Sequence, residues 1–397
     1  MKTAPVEMGD GEAASVTLAN WRLAPHNRRS FRNVDTLLPC RTIAAGQALP
    51  LAHGPDLDLR EVVVKWRDST YTVADALAAT YSDGFMVLRD GKILCEVYGN
   101  GDPASRHILF SVSKSVTGAL AGVLAASGEL DPKLPVVTYV PELASSAYGD
   151  CTVQHVLDMT VDVGFVEDYL DPKGDFARYR AATGWNPPNP EFGGETLHGF
   201  IATLPRGGGE HGASFHYVSP NSDLLGWILE RAAGAPFDQL LSRLIWQPMG
   251  AEQDAFITVD HDGAPRTAGG ICTSLRDLAR FGELMRKGGT VGGKQIIPRS
   301  WIDDILQNGD PQAWQRGSMA ALFPAGRYRS QWYVPGDAPG SFCAIGIHGQ
   351  WIYADPTTSM VAVKQSSQPL PVDDDLDRLN LAIFRAVSAH LANGASH

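Results

Sequence analysis

HILFSVSKSVTGALAGVLAASGEL, residues His107 to Leu130, is the stretch from which the fold is read. Apolar residues at 112, 116, 119, 120, 123 and 124 fall on one face of a helix, and Gly128 supplies its stop. The run is buried in character, yet it opens on two serines flanking a lysine. Ser111 and Lys114 stand three apart, so in a first helical turn their side chains share a face at about 5–6 Å between Cβ atoms. A serine hydroxyl needs a base before it is a nucleophile, and a desolvated lysine can lose its proton readily enough to act as one. The free N–H groups and positive dipole end of the helix start favour a developing oxyanion. A Ser-x-x-Lys pair also arises about once by chance in a chain this long, with a capping serine beside a solvated lysine as the plain alternative. Context therefore has to decide. Ser113 and Ser115 have no lysine three residues later, and Ser115, Gly118 and Gly122 read as a small-residue stripe for close packing.

Before this helix, GFMVLRDGKILCEVYG (84–99) reads as two strands joined at Asp90-Gly91, a hairpin turn in which glycine supplies the positive φ. From Asp131 to about Arg280 the signals are mostly helical or loop, the helical ones in TVQHVLDM, NSDLLGWILERAAG, PFDQLLSRLIW and SLRDLARFGELMRKGG. Strands return in SFCAIGIHGQWIYADP and SMVAVKQSS, before a last helix, DDDLDRLNLAIFRAVSAHLAN. Strands at both ends with helices between predict an α/β plus α fold, an antiparallel sheet flanked by helices and assembled from both termini, with an all-helical domain inserted in sequence. The expected boundaries are 1–110 with 265–397 for the sheet domain, and 111–264 for the helical domain carrying the Ser111 helix.

Bulk numbers narrow the function. The 397 residues, 44% of them hydrophobic, can bury a large core. With 33 Lys and Arg against 44 Asp and Glu, the formal charge of −11 argues against nucleic acid as a partner. The start, MKTAPVEMGDGEAASVTLANW, has no apolar run with a small-residue cleavage site, which predicts no secretory leader and a cytoplasmic location. The longest apolar stretch, Val116 to Ala126, is far short of the roughly 20 residues of a membrane span. Five dispersed cysteines, Cys40, Cys95, Cys151, Cys272 and Cys343, read as reduced core thiols rather than disulfides or zinc ligands.

Two further elements join Ser111. In SFHYVSPNSDLLGW, Tyr217 and Ser219 precede an apolar helix; a phenol near a lysine can carry a proton to a leaving group, although a lone Tyr is more often a buried aromatic with a satisfied hydroxyl. In AIGIHGQW, Gly346 and Gly349 bracket Ile347 and His348 on a predicted strand, and glycine there marks a bulge or a close approach by another group. A backbone N–H from this strand, with that of Ser111, would make a two-donor oxyanion hole. Gly207 to Gly212 satisfies G-x-G-x-x-G but leads into ASFHYVSP rather than a helix, so it reads as a mobile loop. There is no G-x-S-x-G elbow and no H-E-x-x-H.

Ser-x-x-Lys, then Tyr, then a glycine-bracketed late strand resembles the serine β-lactamase and penicillin-binding-protein superfamily. PHNRRSF, FSVSKS, LDPKLPVVTYVPELA, EDYLDP, ATGW, ITVD, GGICTSLRDLARFGELM and GIHGQ together are similar to its 6-aminohexanoate-dimer hydrolases, from about Trp21 to the last helix. The resemblance implies Ser111 as nucleophile, Lys114 and Tyr217 as the proton-handling pair in an order left open, and Ser111 and Ile347 N–H groups as the oxyanion hole. It also implies Tyr169 on a loop over the substrate, no metal or organic cofactor, and a homodimer. Two departures matter. The late strand reads Ala344-Ile345-Gly346-Ile347, without the Lys-Thr-Gly that meets the carboxylate of a β-lactam, so β-lactams and cell-wall peptides are not expected substrates. Arg180 falls where nylon-selected enzymes carry an acid for the substrate ammonium, and Ala268 where they carry a polar residue. Arg180 would repel an ammonium and attract a carboxylate or carbonyl. The reading is a hydrolase of small carboxylic esters and amides, with Tyr169, Arg180, Ser219, Ala268, Trp332 and His348 around the substrate. Alternatives are a linear 6-aminohexanoate-oligomer amidase and a non-catalytic ligand-binding member of the fold.

Overall fold

The computed structural model describes residues 15–192 and 194–394. The expectation of no leader in Met1–Trp21 thus falls mostly outside the described residues. A large sheet has eight strands: β1 (Ala52–His53), β2 (Ser82–Arg89), β3 (Lys92–Tyr98), β4 (Arg327–Arg329), β5 (Trp332–Val334), β6 (Phe342–Gly346), β7 (Gln350–Asp355) and β8 (Met360–Ser366). Their spatial order is β4-β5-β6-β7-β8-β2-β3-β1, antiparallel except for the edge strand β1, which runs parallel to β3. The sheet is thus built from both ends of the chain, with β8 pairing on β2 at Lys364 and Phe85. Asp90 and Gly91 turn the β2–β3 hairpin with φ of 52° and 78°, the left-handed conformations a two-residue turn requires.

Both faces of this sheet are covered, and the period-2 alternation shows it. Met86 and Leu88 of β2, Val361 and Val363 of β8 and Ile352 of β7 lie in one apolar cluster; Phe85, Val87, Met360, Ala362 and Trp351 lie in another. Four longer helices organise the packing: α1 (Val112–Ser127), α2 (Ser219–Ala233), α3 (Leu275–Arg286) and α4 (Asp374–Gly394). Helix α3 lies on the first face, where a Cβ on Gly282 would sit 2.8 Å from Val361 Cγ1. Helix α4 covers the second face, with Phe384 stacked on Phe85 and on Tyr353 at ring separations of 6.4 and 5.4 Å.

Helix α1 ends as read, at Gly128 with φ 81°. Its small residues admit neighbours at close range. A Cβ on Gly118 would meet the Ser330 carbonyl at 2.4 Å and one on Gly122 the Trp301 ring at 2.5 Å, while Ser115 Oγ donates to the Gln331 carbonyl at 2.6 Å. The regular elements of residues 131–250 are helical, α-helices and 3-10 turns with one π-helical turn at Ser242–Trp246, joined by long loops. The strand Ala255–Thr258 pairs with Cys40–Ile43 and Ile271–Thr273 in a second sheet, completed by His107–Ile108. That short last strand leads directly into Ser111.

Three details differ from expectation. AIGIHGQW is not one strand but the hairpin between β6 and β7, with His348 and Gly349 at φ 60° and 83°. The Gly207–Gly212 loop is pinned: the amides of Gly208 and Gly209 donate to Asp162 at 3.0 and 2.9 Å, and the Asp162 amide donates to His211 Nδ1. All five cysteines are free, and Cys151, Cys272 and Cys343 are buried, but Cys40 and Cys95 are half-buried. No helix among the described residues is long and apolar enough to cross a membrane.

Candidate active site

Ser111 is the residue before the first turn of α1. Phe110, at φ 45°, turns the chain from the His107–Ile108 strand into the helix. Three residues on, Lys114 Nζ lies 2.8 Å from Ser111 Oγ and donates to the Ala268 carbonyl at 2.8 Å. That carbonyl holds one N–H of the amine and leaves its remaining valences for the serine. Lys114 is 2% exposed, and burial, aided by the charge of Arg266, lowers its pKa to about 7; Glu167 and Asp223 pull the other way. A lysine in this state is a base at neutral pH. Ala268 is itself held, its amide donating to Asp223 Oδ1 at 2.7 Å while Asp223 ion-pairs with Arg266.

Tyr217 faces the same amine, with Lys114 Nζ 5.0 Å from its ring centroid. Burial first, and then the Glu167 charge, raise its pKa, against the neighbouring hydroxyls of Ser111 and Tyr333. The phenol is protonated at neutral pH and can give a proton. Ser219 begins α2, and its amide and hydroxyl donate to Glu167 at 2.5 and 2.6 Å; Tyr169 donates to the same carboxylate at 2.6 Å and packs edge-on to Phe176. Glu167 therefore ties the EDYLDP loop to the start of α2. The sequence reading chose Tyr169 from that loop and passed over Glu167, two residues earlier.

Gly346 closes β6 against the serine. A Cβ there would stand 2.5 Å from the Leu109 carbonyl and 3.1 Å from Ser111 N, so only glycine lets strand and helix mouth come this close. The amides of Ser111 and Ile347 find no backbone acceptor among the described residues, and Ile347 lines the cleft. His348 turns away from solvent: its Nδ1 meets the Gln368 carbonyl at 2.7 Å, its ring packs on Phe31 and Phe110, and burial lowers its pKa to about 4. It is a neutral fastener of the hairpin at the wall of the cleft.

The cleft has two lobes that meet at Ser111. The lobe bearing Tyr217, of about 370 Å³, also takes in Glu167, His216 and Tyr333; the other, of about 140 Å³, takes in Arg22, Phe176, Arg180, Trp185 and Ala268. Tyr169 and Ile347 line both. Trp332, expected at the substrate, does not belong here. It is fully buried with its ring on Phe281 and Phe342, because β5 alternates and turns Trp332 to the α3 face. Tyr333, one residue on, faces the cleft instead. Arg22 was also missed, standing outside any periodic run.

A hydroxyl, a buried amine, a protonated phenol and two backbone N–H groups without a backbone acceptor among the described residues meet on a helix–sheet seam, an arrangement suited to a serine hydrolase. The chain belongs to the β-lactamase family, whose model matches residues 72–386. It is 37% identical over 368 residues to the 6-aminohexanoate-dimer hydrolase of Paenarthrobacter ureafaciens, covering 92% of each chain. A structure from Bacillus anthracis described as a 6-aminohexanoate-dimer hydrolase superposes with a TM-score of 0.88 at 25% identity, over 96% of this chain and 98% of that one. A family VIII carboxylesterase shares the fold at a TM-score of 0.59 and 18% identity, over 84% of this chain and 99% of that one.

Proposed function

We propose that this hydrolase cleaves small carboxylic esters and amides through an acyl-enzyme on Ser111. The observation that carries the reading is the 2.8 Å approach of a buried, readily deprotonated Lys114 to the Ser111 hydroxyl. Lys114 takes the Ser111 proton as Oγ bonds to the substrate carbonyl carbon. Charge gathers on the carbonyl oxygen, between the N–H groups of Ser111 and Ile347. As the bond to the leaving group breaks, Tyr217 gives its proton to the departing oxygen or nitrogen and recovers one from Lys114. Water then enters by the same proton path in reverse and releases the acid. This order makes Lys114 the first base, because a phenol with a raised pKa has no phenolate to offer at neutral pH.

The test is 4-nitrophenyl acetate and butyrate with the wild type, Ser111→Ala and Tyr217→Phe. The expected outcome is a burst with the acyl group on the Ser111 peptide by mass, loss of the burst in Ser111→Ala, and in Tyr217→Phe a modest fall on these esters, whose leaving group departs unprotonated, beside a fall of roughly 10²-fold or more on the matching anilides. No turnover and no acyl mass with either ester would overturn it. The 37% identical relative favours a second reading, an amidase for linear aminoalkanoate oligomers, and turnover of the linear 6-aminohexanoate dimer distinguishes it. We expect little such turnover, since Arg180 stands on the cleft wall. Five free thiols support a reducing compartment such as the cytoplasm, and the solution mass would test the homodimer that the sequence resemblance implies.

A further inference from the structure

The two lobes of the cleft differ in charge. The Tyr217 lobe takes in Glu167, Asp374 and Asp377 along with Arg378. The smaller lobe takes in Arg22, Arg180 and Arg266 and, among its described lining residues, no Asp or Glu. Of these three only Arg266 has an ion-pair partner among the described residues, namely Asp223. Arg180 lies over the Phe176 ring at 5.1 Å, and its Nε is buried without a hydrogen-bond partner among the described residues. Arg22 lies over the Trp21 ring at 5.1 Å and, among the described residues, donates only to neutral oxygens, the Trp185 carbonyl at 3.2 Å and Asn186 Oδ1 at 2.6 Å. Burial, with the charges of Arg180 and Arg266 close by, lowers the Arg22 pKa. Guanidinium holds its proton under such pressure, so what relieves it is an anion.

Direction follows from Tyr217. The group that protonates the leaving atom lines the larger lobe, so the leaving group lies there and the acyl chain runs from Ser111 into the arginine lobe. We propose that this lobe holds a carboxylate at the far end of the acyl chain, making half-esters and half-amides of short dicarboxylic acids the preferred substrates. The proposal rests on the acyl-enzyme reading above and names its substrate class. The modest volume of the lobe limits the chain to a few methylenes, and the planar fork of Arg180 suits a carboxylate.

The experiment compares the mono-4-nitrophenyl esters of glutaric and adipic acids with the uncharged valerate and hexanoate esters of matching length, after subtracting spontaneous hydrolysis. The expected kcat/KM ratio, anionic over neutral, is about 10- to 100-fold in the wild type, and Arg180→Gln draws it towards one. In the wild type alone, glutarate should inhibit hydrolysis of the valerate ester at concentrations at least about tenfold below those at which neutral glutaramide does. Ser111-dependent turnover of the neutral esters with a ratio near one, or inhibition no stronger by glutarate than by glutaramide, would overturn this inference and leave the hydrolase reading standing. Absence of Ser111-dependent turnover with all four esters would overturn both.

Discussion

At Lys114 the proposed mechanism rests on a single buried amine, and its charge state depends on its neighbours. Burial and Arg266 lower its pKa, while Glu167 and Asp223 raise it, with the balance at about 7. With Lys114 as the proposed base the neutral amine is the working form, so kcat/KM should rise with pH through about 7 and level above it. Glu167→Gln removes a charge that favours the ammonium, and the rising limb should move to lower pH, by roughly half a unit or more. A pH profile of the Ser111-dependent esterase checks this; a limb that stays or moves upward would mean that Glu167 does not act on Lys114 electrostatically. The same variant weakens the acceptor shared by Ser219 and Tyr169, so a rise in KM should accompany the shift. Ser111 and Lys114 were legible because helical spacing alone puts them on one face. Glu167 was not, because nothing in a loop sequence says which carboxylate will meet the start of a distant helix.

Among the elements, helix α1 and the β2–β3 hairpin could be read almost to their ends, since apolar spacing and the Asp90-Gly91 turn are local signals. The β6–β7 junction was not: Gly346 was rightly singled out, but the chain leaves the sheet after it, and short loops hide inside apolar runs. Trp332 and Tyr333 show the limit more sharply. One residue of register decides which ring faces the cleft, and an apolar strand covered on both faces gives no polar alternation to fix that register. The glycines of the two elements should separate function from stability. Gly346→Ala places a Cβ 3.1 Å from Ser111 N and 2.5 Å from the Leu109 carbonyl, pushing the Ile347 amide away from Ser111; with those two amides as the proposed oxyanion hole, kcat should fall by about 10²-fold or more. Gly122→Ala drives a methyl into the Trp301 ring, far from Ser111, and should cost about 1–3 kcal/mol of stability. Melting curves and ester kinetics on both variants check the pair, and a Gly346→Ala enzyme with unchanged kcat would count against the Ile347 amide as an oxyanion donor.

Over the whole molecule, the site is assembled at the cost of stability. Lys114 has an unfolded pKa near the usual 10.5 and a folded one of about 7. Below pH 7 both states carry the proton, and the folded protein bears the full penalty of a buried ammonium. Between about 7 and 10.5 the unfolded chain binds the extra proton, so the wild type should gain stability as pH rises, by at most about 1.4 kcal/mol per unit from this group. Lys114→Met fills similar space without a charge. It should be inactive, melt above the wild type at pH 6.5, and lose that advantage towards pH 9.5. Lys364 is a second buried amine, lowered to about 7 chiefly by desolvation, and it donates to the Thr80 carbonyl and Asn380, away from the cleft. It keeps some upward slope in the Lys114→Met protein, so the quantity to compare is the difference between the two melting curves across pH. A difference that stays constant would mean that the Lys114 amine is hydrated as freely in the folded protein as in the unfolded one. In that case its basicity at neutral pH, and with it the role given to it beside Ser111, would fall.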